Sequence, residues 1–142
     1  MILRKNTDGR RRAAFTLMEM LVVVAIIVAL AGIGGFFLLG QLKDSQKDIA
    51  STQVKGPLTQ ACQAYSLKHN GEFPPDLMSL TVKDSLGHGP YLESKDAIVD
   101  PWGHPYQYDA SGTKNNATKP DIWAVVPNSN PQEIIGNWPK NR

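Results

Sequence analysis

Cysteine is almost missing from this chain: Cys62 stands alone. One thiol forms no disulfide within the chain, and no paired-cysteine metal spacing exists. If the domain is exported, it folds without covalent staples. Cys62 sits in a helical pattern among apolar neighbours, which reads as a small core residue rather than a reactive thiol. Glycine-rich phosphate loops, dinucleotide fingerprints and nucleophile-elbow serines are lacking too. The histidines are His69, His88 and His104, and no two of them stand at i, i+4 spacing. His88 and His104 fall in turns and His69 at a helix end, so no residue set recommends an enzyme.

Basic charge is also scarce outside one place. Residues 1–14 carry Arg4, Lys5, Arg10, Arg11 and Arg12 against Asp8, a net of +4, whereas residues 15–142 are net −2. The overall charge of +2 therefore describes an N-terminal tip, not a nucleic-acid-binding face, and no nucleic-acid partner is expected.

A second long apolar run is lacking, which excludes a multi-span transporter. The one run present, Met20–Leu39, has 17 apolar residues, 3 glycines and no charge. As a helix it covers about 30 Å, the thickness of a hydrocarbon core. The basic tip before it favours the cytoplasmic side, which leaves the C-terminal hundred or so residues outside the inner face. Three readings compete. A cleaved secretory signal would use Ala29-Leu30-Ala31 as its small-x-small site, but would leave apolar Gly32–Leu39 at the new terminus. An uncleaved signal anchor is the second. The third is an anchor trimmed before its apolar segment, after Ala13-Ala14.

Past the membrane run the helical pattern continues. Leu42 and Ile49 are seven apart, and Val54, Leu58, Ala61, Cys62 and Tyr65 form a helical stripe. Gly56-Pro57 should bend this helix, and Asn70-Gly71 should end it. From Phe15 to His69 such a helix is about 80 Å long if straight, too long for its lower half to be buried in a small domain. It needs lipid or copies of itself, which points to an assembling rod. Leu77, Leu80 and Val82 suggest a short helical turn, and Gly87-His88-Gly89-Pro90 a tight turn. Strand patterns appear at Tyr106–Tyr108 and Ile122–Val126, with Asp109–Gly112 as a turn. Pro127, Pro131 and Pro139 predict an irregular tail. The fold expected is α+β: a long N-terminal helix, half membrane and half amphipathic, packed on a small C-terminal antiparallel sheet.

The string Phe15-Thr16-Leu17-Met18-Glu19, between Ala13-Ala14 and the apolar run, resembles the prepilin-type signal of the type IV pilin-like class. The resemblance implies cleavage between Ala14 and Phe15 by a prepilin peptidase, N-methylation of Phe15, and an assembly role for Glu19, which would meet the terminal amine of a neighbouring subunit. It divides the chain into a removed leader at 1–14, a transmembrane and assembly helix at 15–42 and an extracytoplasmic pilin-like domain at 43–142. Ala14 stands where the family usually has glycine, and Phe36 where many members have a helix proline. Gly32, Gly34 and Gly35 precede Phe36, either softening the helix or letting neighbouring helices approach.

Asp100-Pro101-Trp102-Gly103-His104-Pro105-Tyr106-Gln107-Tyr108 and Gly136-Asn137-Trp138 are similar to segments of the major pseudopilins of type II secretion. That implies a structural subunit of a secretion pseudopilus that drives protein export across the outer envelope. Its implied partners are itself, minor pseudopilins, the prepilin peptidase, the inner-membrane secretion platform and membrane lipid. Its implied location is the inner membrane, single-pass with the C-terminal domain in the periplasm, and then the pseudopilus. The alternative is a pilin of a surface fibre for adhesion, motility or DNA uptake. The resemblance also raises calcium, which wants six to eight oxygens. The corresponding loop here, Pro127–Glu133, is short and holds one carboxylate, so no cofactor is assigned and no calcium ligands are carried over.

Overall fold

A computed structural model describes residues 15–139 of the chain; the leader read at 1–14, Ala14 included, lies outside the described residues. The chain divides into two compact units, Met1–Gly40 and Gln41–Arg142. Helix α1 (Leu17–Lys55) runs through the boundary, and α2 (Pro57–Lys68) follows it. In the first unit the α1 residues from Leu17 to Leu39 bury nothing. This stretch is long and apolar enough to cross a membrane.

Within the second unit the helices acquire a buried face. Ala50, Val54, Leu58, Ala61 and Cys62 recur at helical spacing and are all buried. Leu42 and Ile49, the seven-spaced pair ahead of that stripe, are both about half exposed, and the buried face begins at Ala50. The helix breaks where the glycine–proline pair predicts. Gly56 still donates to the Thr52 carbonyl at 2.9 Å. Pro57 then has no N–H to give, and it occupies the first turn of α2, where that loss costs least. Thr59 Oγ1 donates to the Val54 carbonyl at 2.6 Å, taking up an acceptor freed by the break. Helix α2 closes at Asn70 and Gly71, both in the left-handed region, with the Gly71 N–H on the Ser66 carbonyl at 2.8 Å.

The sheet has three antiparallel strands in the order β1 (Gln107–Asp109), β2 (Asp121–Val125), β3 (Ile134–Gly136). Register pairs Tyr108 with Ile122 and Ala124 with Ile135. Alternation along β2 sends Ile122 and Ala124 into the core, joined there by Val126 and by Ile135 of β3. Leu77 and Leu80 reach the same core from the start and body of a 3₁₀ turn at Met78–Thr81, Ile98 from a second at Lys95–Ile98, and Leu92 and Tyr106 from the loops. The architecture is the expected α+β one, a long N-terminal helix packed on a small antiparallel sheet. Strand β3 corrects the expectation of an irregular tail. Prolines 131 and 139 flank it without entering it, and its two isoleucines are too short a run to show strand periodicity.

Candidate functional site

At the N-terminus of α1 the residues of the candidate assembly site form one local unit. Thr16 precedes the first helical residue and Glu19 is three residues on, the spacing of a capping box. The Thr16 N–H and hydroxyl donate to Glu19 Oε2 at 2.8 and 3.0 Å, and the Glu19 N–H donates back to Thr16 Oγ1 at 3.2 Å. Glu19 therefore starts the helix as well as carrying its only acidic charge before Asp44. The Thr-x-x-Glu string was readable for this second role. Phe15 is 75% exposed, and the apolar side chains after Glu19 are exposed like it.

The Gly-Asn-Trp segment serves the interior. Asn137 is 4% exposed, and its side chain uses every bond it can make. Nδ2 donates to Thr59 Oγ1 at 3.0 Å and to the Pro120 carbonyl at 2.9 Å. Oδ1 accepts from Asn115 Nδ2 at 2.9 Å and from the Ile122 N–H at 3.2 Å. Asn115 also donates to Asp121 Oδ1 at 2.7 Å. One buried amide thus ties α2, β2, and the loop before β2 to the C-terminal segment. Trp138 lies beside it with the Lys114 ammonium 4.1 Å from its ring centroid.

The Pro127–Glu133 loop closes on itself. Ser129 Oγ donates to the Val126 carbonyl at 2.9 Å and accepts the Glu133 N–H at 2.8 Å, while the Val126 N–H reaches the Glu133 carbonyl at 2.9 Å. Its one carboxylate, Glu133, pairs with Lys47 Nζ at 2.6 Å. The hydrogen bond from Lys47 to the Glu133 carboxylate raises the Lys47 ammonium above the usual lysine range. The loop offers calcium no second carboxylate, and an ammonium already takes the first. These residues do not fit a calcium ion.

Two loops share one fold that the chain spells twice, as Asp84-Ser85-Leu86-Gly87-His88 and Asp100-Pro101-Trp102-Gly103-His104. In the first, Asp84 Oδ1 accepts the N–H groups of Leu86 at 2.9 Å and His88 at 2.8 Å. In the second, Asp100 Oδ1 accepts those of Trp102 at 3.0 Å and His104 at 2.8 Å. The aspartate N–H reaches the histidine carbonyl in each, at 3.0 and 2.7 Å. Gly87 and Gly103 both take positive φ, 82° and 88°, as the turn requires. The second loop seats Tyr106 in the core, and Tyr108 Oη donates to the Pro74 carbonyl at 2.7 Å. The first loop does something the histidine spacing does not reveal. It brings Asp84 and His88 to His69 at the end of α2, with His69 Nε2 2.7 Å and His88 Nδ1 3.3 Å from Asp84 Oδ2. No two histidines stand at i, i+4 spacing, yet His69 and His88, 19 positions apart in the chain, meet at one carboxylate because the fold returns one to the other. The Asp-x-x-Gly-His string was the available signal.

Cys62 is fully buried, and desolvation pushes its thiol up to about 12, as a core residue requires.

The sequence matches the family described as type II secretion system (T2SS), protein G, over residues 37–132, and the prokaryotic N-terminal methylation motif over residues 9–35. A type II secretion system core protein G of Pseudomonas aeruginosa is 30% identical, over 91% of this chain and 96% of that protein. The protein of the same name from Pectobacterium carotovorum subsp. carotovorum is 29% identical, over 92% of this chain and 87% of its own. That of Dickeya chrysanthemi is 29% identical over 91% and 88%. No solved structure matched the chain.

Proposed function

Because this chain belongs to the type II secretion system protein G family, we propose that it is a structural subunit of the secretion pseudopilus and performs no chemistry of its own. In this reading residues 1–14 are a leader removed by a prepilin peptidase between Ala14 and Phe15. Phe15 becomes the N-methylated first residue, residues 15–42 are the membrane and assembly helix, and 43–142 form the periplasmic domain. Subunits wait in the inner membrane and polymerise through α1, beside minor pseudopilins and on the inner-membrane secretion platform.

The observation that carries this is the unburied apolar stretch of α1 from Leu17 to Leu39. Burying even ten such side chains is worth on the order of 15–30 kcal/mol, more than the whole stability of an ordinary domain at about 5–15 kcal/mol. Only lipid or sister helices can supply that burial. A lone carboxylate at its head suits this use. Glu19 is tolerated at the membrane edge by its capping bonds and the helix dipole, and gains further from the amine of a neighbour's Phe15.

Two measurements test the proposal. Protein extracted from membranes that contain the peptidase should begin at methylated Phe15 by intact mass and N-terminal sequencing; a start at Gly32 would overturn it. Glu19→Gln keeps the capping box, which accepts Gln, and removes only the charge. The variant should insert and be processed, yet assemble into pseudopili at a small fraction of the normal yield. Normal yield would show that Glu19 only caps the helix.

A further inference from the structure

We infer that His69, Asp84 and His88 form a binding site for a divalent first-row transition ion of the zinc class. The site would clasp the end of α2 to the loop that follows.

The argument begins at one ring nitrogen. His69 Nδ1 lies 2.8 Å from the Tyr65 carbonyl oxygen. A carbonyl only accepts, so Nδ1 carries the proton and donates. In the neutral ring Nε2 is then a bare lone pair, and it faces Asp84 Oδ2 at 2.7 Å. Two acceptors at that distance need a cation between them: a proton on Nε2 in the empty chain, or a metal ion that takes its place. His88 brings a second imidazole to the same carboxylate oxygen, with Nδ1 at 3.3 Å. One ligand atom from each of the three residues lies within 4.8 Å of the other two. Two imidazoles and one carboxylate, with a fourth position left for water, is a donor set zinc takes in proteins. Ligand atoms on tetrahedral zinc sit about 3.3 Å apart, so small side-chain rotations suffice to close the set.

The surroundings are those of a supported site. The Tyr65 carbonyl sets the His69 tautomer, the arrangement by which metal-binding histidines are oriented. The Tyr65 ring stacks on the His69 ring, centroids 3.7 Å apart and planes within 4°. The second oxygen of Asp84 is held by the N–H groups of Leu86 and His88, which fixes the carboxylate while Oδ2 faces the rings. All three residues are half-buried, so an ion can enter yet is partly shielded. The Tyr91 hydroxyl is buried with no partner among the described residues, and the Tyr91 ring packs edge-on against Tyr65. The twin loop is the internal control. His104 stands 3.8 Å from Asp100 and is well exposed, and no further histidine, cysteine or carboxylate joins them among the described residues.

The test uses the full chain, untagged and in detergent, stripped with chelator and then freed of it. Zinc is titrated by calorimetry near neutral pH, and cobalt by visible absorption. One zinc per chain is expected, with a raised unfolding temperature. Cobalt should give the strong visible bands of a four- or five-coordinate ion. His69→Gln and His88→Gln, checked for native circular dichroism, should each weaken zinc by at least about tenfold, while His104→Gln should bind as the unaltered chain does. Absence of saturable zinc binding, a six-coordinate aqueous cobalt spectrum, or binding by His69→Gln and His88→Gln as tight as that of the unaltered chain would overturn the proposal. Assembly of the pseudopilus is not read in this experiment, so its outcome is independent of the proposed function.

Discussion

Asn137 shows how much one side chain can hold in a domain without disulfides. Its amide gives two bonds and takes two, and its partners come from α2, β2 and the loop before β2. Truncation leaves several buried groups unpaired, each at a cost of about 1–3 kcal/mol. Asn137→Ala should therefore destabilise the domain by about 2–4 kcal/mol after partial relaxation. The measurement is denaturant unfolding, with a lower midpoint and an unchanged slope. A shift no larger than that of an exposed substitution would show that the network is redundant. The string Gly136-Asn137-Trp138 was visible from the start, but its reason was not: Thr59 is 78 residues away in the chain.

At the scale of elements, the decisive feature is the break between α1 and α2. Proline removes a donor, and glycine supplies the room. A Cβ on Gly56 would sit 2.9 Å from the Thr52 carbonyl oxygen, a backbone atom that cannot swing aside. Gly56→Ala should cost about 1–3 kcal/mol, as overpacking does. Gly34 is the contrast, since a Cβ there meets nothing within 4 Å. Gly34→Ala should leave the unfolding of the Gln41–Arg142 unit unchanged. Thermal unfolding of both variants in detergent checks the pair, and equal effects would contradict the packing argument. The break was legible because glycine and proline act on adjacent backbone. Strand β3 was not, because three residues become a strand only when β2 offers them an edge.

For the whole molecule, buried and exposed apolar residues fall in separate units. The second unit has its own core of helix, strand and loop residues, while the first leaves its apolar side chains exposed. The resemblance read from the sequence raises calcium, but the Pro127–Glu133 loop is closed by Ser129 and by the Lys47–Glu133 pair instead. Adding excess calcium to chelator-washed full chain should move the unfolding temperature by less than about 1 °C, because an ion that does not bind the native state adds nothing to its stability. A rise of several degrees would mean that oxygens outside this loop complete a calcium site. The ion pair was hidden in the sequence, since Lys47 and Glu133 stand 86 residues apart.

By itself the sequence determined the features that depend on near neighbours. An uninterrupted apolar run makes a membrane-length helix wherever it is placed, and the Phe15–Glu19 string carries the family signal. Helical spacing from Val54 to Cys62 marks a buried face, and Gly56-Pro57 and Asn70-Gly71 end helices through their own backbone limits. Tertiary structure alone decided which distant polar groups share a bond. The Asn137 network, the Lys47–Glu133 clasp and the meeting of His69 with Asp84 and His88 all join residues separated by long stretches of chain. Periodicity records which face a residue occupies, but not which partner waits there, and a buried donor or acceptor finds its partner only when the chain has closed around it.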